Sequence, residues 1–364
     1  MQKTGKGTRK RRMNGKTMKA VVYRDKEKFE LTDRPVPVIR EPGDSVVKVM
    51  LSSICSSDWH IIHGLVPRAV KNIILGHEFV GEVLETGNGV KKFKAGDRVA
   101  VNCETFCGEC FYCRQGYVNN CEKGGWELGC RIDGCQAEYV RVPLSDTGMT
   151  KIPDDVSYEA ALFVGDILST GYWSAAESEI EPGMTVAVIG SGPAGMCAME
   201  CCRLYHPARI VAVDISEYRL EVAKRNGLCD ITVNSAKEDP VKVLRSLTEG
   251  RGADRVIEAA GGKNTFEMAW KTARPNAVIM IAAMYPEAQI LPLPDMYGKN
   301  LIFKTGGVDA SSCAEILNLI HEKKLDTGFL ITHRAPLNDI LKGYDIFGGQ
   351  KDGCIKWAVT PYER

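Results

Sequence analysis

The chain has 364 residues, 44% of them hydrophobic, and a formal net charge of +1. That is enough for about two domains with their own cores, and no overall field points toward nucleic acid or an anionic surface. No apolar run approaches the ~18 residues that a bilayer span requires. Residues 1–17 carry seven lysines and arginines and no acid. They read as a basic, disordered, solvated tail, without the apolar core of a secretory signal or the amphipathic period of a transit peptide. A nucleic-acid arm is the disfavoured alternative. Met18 opens a strand-like run to Tyr23 and is a candidate start of translation.

From Met18 to about residue 168, short β-like runs such as Ser45–Leu51 and Arg98–Val101 are separated by Gly, Pro and Asp. This pattern predicts a β-rich, barrel-like domain. Within it, residues 103–125 form a distinct lobe around Cys107, Cys110, Cys113 and Cys121, spaced C-x2-C-x2-C-x7-C. Four thiolates complete a tetrahedron around Zn2+ and leave no open position, so this spacing predicts a structural metal that braces the lobe and does no chemistry. Cys55 aside, the other nine of the fourteen cysteines lack the spacing of a disulfide framework. The compartment expected is therefore reducing and cytoplasmic.

Near residue 169 the rhythm changes to strand, Gly-rich turn and helix, repeated through Thr185–Ile189, Arg209–Asp214, Asp254–Glu258 and Ala277–Ile281. Alternating β and α elements over 169–315 predict a doubly wound parallel sheet. Its first strand runs straight into Gly190-Ser-Gly192-Pro193-Ala194-Gly195 and then a helical run. In that context the glycines let the backbone approach a pyrophosphate at the helix N-terminus. Asp214 ends the next strand, where a carboxylate accepts hydrogen bonds from the adenosine ribose. The negative charge of Asp214, with no cation at Ile215 or Ser216 to offset it, favours NAD(H) over a 2′-phosphorylated cofactor. Ile215 and Arg219 complete the expected cofactor contacts. After residue 315 a helical segment and a last strand-like run, Cys354–Val359, are expected to return to the first domain.

Gly76-His77-Glu78-Phe-Val-Gly81, with the four-cysteine lobe, the Gly-rich turn and Gly96-Asp-Arg-Val99, resembles the medium-chain alcohol dehydrogenase superfamily from Met18 to the C-terminus. The resemblance implies a GroES-like catalytic domain, a Rossmann domain, and an active site in the cleft between them. It implies a catalytic zinc on Cys55, His77 and Asp166, hence two Zn2+ per subunit. Where alcohol dehydrogenase has two cysteines and one histidine, the third ligand here is Asp, as in the microbial secondary-alcohol dehydrogenases. The resemblance further implies that Ser57 hydrogen-bonds the substrate oxygen and that His60 passes its proton on. Asp58 orients His77 from behind, Glu78 approaches the metal or lies just behind its ligands, and Cys103 and Trp126 line the substrate pocket beside Ser57. The activity implied is NAD(H)-dependent interconversion of a secondary alcohol and a ketone by a homo-oligomer, dimer or tetramer. Polyols and diols, threonine-type substrates and bulky cyclic alcohols such as hydroxysteroids stay open, whereas a non-catalytic NAD-binding protein is disfavoured by the complete set of ligands and relay residues.

Overall fold

The computed structural model describes residues 15–362, so most of the basic segment expected to be a tail lies outside the described residues. The chain enters as β1 (Thr17–Asp25), turns back as β2 (Lys28–Pro35), and takes β4 (Ile73–Ile74) on its other edge, all antiparallel. A larger sheet is built on β3 (Ser45–Ser53), which pairs antiparallel with β5 (Phe79–Thr86) and with β9 (Tyr139–Val142). Beyond β5 lie β6 (Arg98–Val101) and β10 (Met149–Lys151). Alternate residues of these strands turn inward, so that Val47, Val49, Phe79, Val99, Val101, Val140 and Val142 form the core of this lobe. A short ribbon, β7 (Glu104–Thr105) with β8 (Gly125–Trp126), brackets the four-cysteine loop.

The second lobe is a six-stranded, fully parallel sheet. Its strands are β11 (Thr185–Ile189), β12 (Arg209–Asp214), β13 (Ile231–Asn234), β14 (Ala253–Glu258), β15 (Ala273–Ile281) and β16 (Ile302–Thr305). They lie side by side in the order β13-β12-β11-β14-β15-β16. The switch in direction at β11 places a crevice at the carboxyl ends of the strands. Both faces of β11 are covered, Val186 and Val188 by one layer and Ala187 and Ile189 by the other, which is why its sequence is a continuous apolar run. The β-rich lobe and this doubly wound parallel sheet are the two halves of an α/β fold, the fold class expected from the chain.

Two connections fix the lobes relative to each other. The helix Ile167–Glu177 crosses the helix Pro193–Cys202 so closely that a Cβ on Gly171 would sit 2.5 Å from the Cys197 carbonyl carbon. Leu51, Val80 and Ala100 of the first lobe therefore share one apolar cluster with Val186, Val188 and Met196 of the second. At the other end, β17 (Ile331–Pro336) and β18 (Lys356–Thr360) return to the first sheet, with Ala358 opposite Ser53 and Val359 opposite Ser52. Among the described residues, no helix is long and apolar enough to cross a membrane.

Candidate active site and zinc centres

Three separate elements deliver the first ligand cluster. Cys55 caps the helix Ser56–Ile62, His77 lies two residues before the start of β5, and Asp166 caps the helix Ile167–Glu177. All three are buried, and one ligand atom from each lies within 4.8 Å of the other two. His77 Nε2 is 3.2 Å from Asp166 Oδ2, and His77 Nδ1 is 3.2 Å from Asp58 Oδ1. Yet Asp166 Oδ2 is buried with no hydrogen-bond partner, an orphaned carboxylate oxygen that a cation would satisfy. Burial and then Asp166 push the Cys55 thiol up, so its thiolate needs a positive partner. For His77, burial favours the neutral ring, but Asp58 and Asp166 outweigh it and hold the imidazole well above its usual range. One thiolate, one imidazole and one carboxylate in a dry pocket fit Zn2+ with an open fourth position.

Behind the ligands runs a chain of hydrogen bonds. Asp58 Oδ2 accepts from the Cys55 N–H (3.0 Å) and from Gln136 Nε2 (3.0 Å), and Gln136 Oε1 accepts from the Tyr344 hydroxyl (2.6 Å). Asp58 is thereby anchored with its second oxygen toward His77 Nδ1, which leaves Nε2 as the ligating nitrogen. Gln136 and Tyr344 were not expected from the sequence, and no local signal marks either.

Glu78 is fully buried and does not stand alone. Its Oε1 lies 2.6 Å from Lys356 Nζ and also accepts from the Ser53 hydroxyl, while Oε2 accepts from the Ile167 N–H at 3.3 Å. Burial pushes its pKa up to about 7 against the pull of Lys356. Lys356, itself 1% exposed, also donates to the Ile54 carbonyl. It was another residue missed in the sequence, although a cation inside the apolar run Cys354–Val359 was a usable signal.

Ser57 and His60 share the helix that Cys55 caps, three residues apart and so on one face. Ser57 Oγ lies 3.8 Å from Cys55 Sγ. His60 is half-buried, and burial followed by His63 lowers its pKa. Trp126 stands edge-on to His77 with ring centroids 5.4 Å apart, and the Cys103 N–H donates to the Gly165 carbonyl beside Asp166. Both residues expected in the substrate pocket thus flank the ligand cluster.

The second cluster brings Cys107, Cys110, Cys113 and Cys121 together, again with ligand atoms within 4.8 Å of one another. Backbone N–H groups point at the sulfurs: Cys107 and Lys123 donate to Cys121 Sγ (3.3 Å each), and Glu109 to Cys107 Sγ (3.5 Å). Backbone donors also pull the Cys110 thiol down to about 6, and burial pushes Cys113 up to about 12. The donor set suits a closed four-thiolate zinc site.

At the Gly-rich turn, the helix Pro193–Cys202 starts from Gly192, and Ala194 lies in its first turn. A Cβ on Gly195 would sit 1.8 Å from the Gly190 carbonyl oxygen, so only glycine permits this strand-to-helix approach. Asp214 ends β12 with Oδ2 accepting from the Ser191 N–H (2.6 Å) and Oδ1 from the Ser216 N–H (2.8 Å). These bonds aim the carboxylate at the turn and leave each oxygen a further lone pair. Ile215 is exposed, and Arg219 reaches back to within 3.7 Å of where a Gly192 side chain would begin. A cleft of ≈ 330 Å³ separates Ser216–Arg219 from the loop 350–354.

Residues 41–154 match the family described as "Alcohol dehydrogenase GroES-like domain", and residues 193–322 match "Zinc-binding dehydrogenase". "Zinc-type alcohol dehydrogenase B" of Aspergillus flavus is 35% identical over 342 residues, covering 92% of this chain and 79% of that protein. The "NADP-dependent isopropanol dehydrogenase" of Thermoanaerobacter brockii is 32% identical, covering 86% and 88%. Among solved structures, "Zinc dependent alcohol dehydrogenase 2 from Streptococcus pneumonia" superposes with a TM-score of 0.90 at 36% identity, covering 95% of this chain and 99% of that one.

Proposed function

The chain belongs to the zinc-dependent medium-chain alcohol dehydrogenase superfamily, and from that premise we propose that it interconverts a secondary alcohol and a ketone with NAD(H). That it is an oxidoreductase acting on CH–OH groups follows from the family. The observation that carries the finer reading is the buried Cys55–His77–Asp166 cluster with a carboxylate as its third ligand, the Ser57 hydroxyl beside Cys55, Trp126 edge-on to His77, and Cys103 bonded to the Gly165 carbonyl next to Asp166.

Zinc bound there supplies a Lewis acid that lowers the pKa of an alcohol oxygen and polarises a ketone. Ser57 holds the proton of that oxygen, and His60, kept neutral by its burial, receives it one step nearer solvent. Asp58 keeps Nε2 of His77 free for ligation, and Lys356 holds Glu78 in the wall behind the ligands. Gly190, Gly192 and Gly195 cradle the dinucleotide pyrophosphate with Pro193 and Ala194 at the helix start, while Asp214 takes the ribose hydroxyls. In this division of labour, residues 18–168 and 316–364 carry the metals, with the structural one in the lobe 103–125, and residues 169–315 carry the nucleotide.

Fourteen unpaired cysteines suit the reducing cytoplasm. Edge strand β16, with Ile290, Leu293 and Tyr297 exposed nearby, is the face we assign to a second copy in a dimer or tetramer. Sedimentation as a monomer would remove that assignment.

The test is oxidation of NADH and of NADPH by purified, zinc-loaded protein with acetone, acetoin, fructose, a 2-amino-3-ketoacid and a ketosteroid. The reading expects turnover of a ketone with NADH preferred by at least ~10-fold in kcat/KM, the cost of setting a 2′-phosphate against Asp214. Turnover of aldehydes alone, or equal use of both cofactors, overturns the corresponding part.

A further inference from the structure

The ribbon between the two metal sites carries polar groups that the proposed mechanism leaves unused. Glu104 and Trp126 are direct cross-strand partners in β7 and β8, so their side chains leave the same face of the ribbon. On that face Trp126 meets the edge of His77. Glu104 is 8% exposed, and its Oε2 is buried with no hydrogen-bond partner. Trp126 Nε1 is likewise buried and unpartnered. Leaving two such groups unsatisfied costs a fold the desolvation of each, so their presence beside the ligand cluster needs a reason.

Burial pushes the Glu104 carboxyl up to about 8; Arg68 pulls against it, and Asp166 and His77 both act on it, which places it within the field of the ligand cluster. The exposed Arg68 guanidinium lies 5.0 Å from the Trp126 ring centroid, so the ribbon also carries a cation over the indole. A purely aliphatic substituent placed here would leave both Glu104 Oε2 and Trp126 Nε1 unpaired. An ammonium group would answer the carboxyl and leave the indole N–H without an acceptor. A hydroxyl group donates to the first and accepts from the second.

We infer that Glu104 is a specificity-determining residue of the pocket, and that the substrate carries a hydroxyl group next to its reacting carbinol carbon, as in a vicinal diol, a polyol or the matching hydroxyketone. This inference rests on the secondary-alcohol reading and deepens it. The chain's preference is set at the ribbon, where the hydroxyl bridges Glu104 and Trp126 while the carbinol oxygen lies by Ser57.

The experiment compares matched substrates with the zinc-loaded enzyme: 2,3-butanediol against 2-butanol, and 1,2-propanediol against 1-amino-2-propanol. In the wild type the diol to alkanol ratio of kcat/KM is expected to be about 30 or more, and the diol to beat the amino alcohol, because a site built for a hydroxyl rejects analogues that lack it. In Glu104→Leu the diol to alkanol ratio should fall toward one, and Glu104→Gln, which keeps an acceptor oxygen, should lie between. Zinc content and circular dichroism are read on each variant, and the wild-type ratios decide the matter even if a variant does not fold. A wild-type ratio near one, a ratio unchanged in folded Glu104→Leu, or preference for the amino alcohol overturns the inference while the secondary-alcohol reading stands. Turnover of no secondary alcohol at all overturns both.

Discussion

The two metal-ligand clusters are built in opposite ways. Cys107, Cys110, Cys113 and Cys121 come from one short loop, and Cys107 and Cys113 stay only half-buried beside the exposed Phe111, Tyr112 and Tyr117. Cys55, His77 and Asp166 come from two helix caps and a strand entry far apart in the chain, and all three are buried. The first cluster is organised by its own spacing and by backbone N–H groups within the loop. The second is held by Asp58, Gln136 and Tyr344 and by the Glu78–Lys356 pair, groups brought together only when the sheets have formed. A locally encoded site couples metal binding to the folding of its own lobe. A remotely encoded one is a product of the fold, and the fold should survive its loss.

The sharpest way to break that contrast is to remove one ligand from each cluster. Asp166→Ala should lower activity by about 1,000-fold or more, since the metal is worth several kcal/mol to the transition state. It should reduce zinc from two ions per subunit to one, with circular dichroism unchanged. Cys110→Ser should instead lower soluble yield and thermal midpoint. Metal analysis and melting curves check both, and a folded, zinc-replete Asp166→Ala would remove Asp166 from the ligand set.

Within the buried site the relay should be separable from the metal. Ser57→Ala is expected to lower turnover by ~100-fold with both zinc ions retained, because it deletes a proton transfer and no ligand. His60→Gln should cost less, about 10-fold, as water can replace a group further from the reacting oxygen. The sign with pH follows from its burial. A lowered pKa leaves His60 able to accept a proton until the pH falls below the ordinary histidine value, so its removal should hurt alcohol oxidation most on the acidic side. A pH–rate profile identical to wild type would take His60 out of the path.

The smallest expected effect tests the supporting shell. Asp58→Asn leaves every ligand in place but weakens the hold on His77, so zinc affinity at that site should fall by about 10-fold while the four-cysteine site is untouched. Competition with a chelator reads the two sites separately. Equal loss from both would mean that the clusters are coupled and the contrast fails.

The same division governs what could be read from the chain. The four-cysteine lobe and the Gly-rich turn with Asp214 were legible because their geometry is written in spacing: i, i+3 thiols in one case, strand, turn and helix in the other. Asp166 was legible only through the resemblance to a family, since nothing in the run Gly165–Gly171 announces a ligand. Gln136, Tyr344 and Glu104 carry no local signal at all. Lys356 did carry one, as a charge in an apolar strand, but its partner Glu78 is 278 residues away.

By itself, then, the amino-acid sequence determined a β-rich half and a β/α half, the four-thiol loop and the Gly-rich strand, turn and helix, because periodicity and short spacing act through neighbouring residues. Tertiary structure alone decided that Cys55, His77 and Asp166 meet within 4.8 Å, that Lys356 neutralises Glu78, and that a carboxyl and an indole N–H stand unpaired beside the reaction centre. Those outcomes depend on which strand returns beside β3 and how closely the helices cross at Gly171. Both are settled by burial of apolar surface across the whole chain and by no short stretch of it.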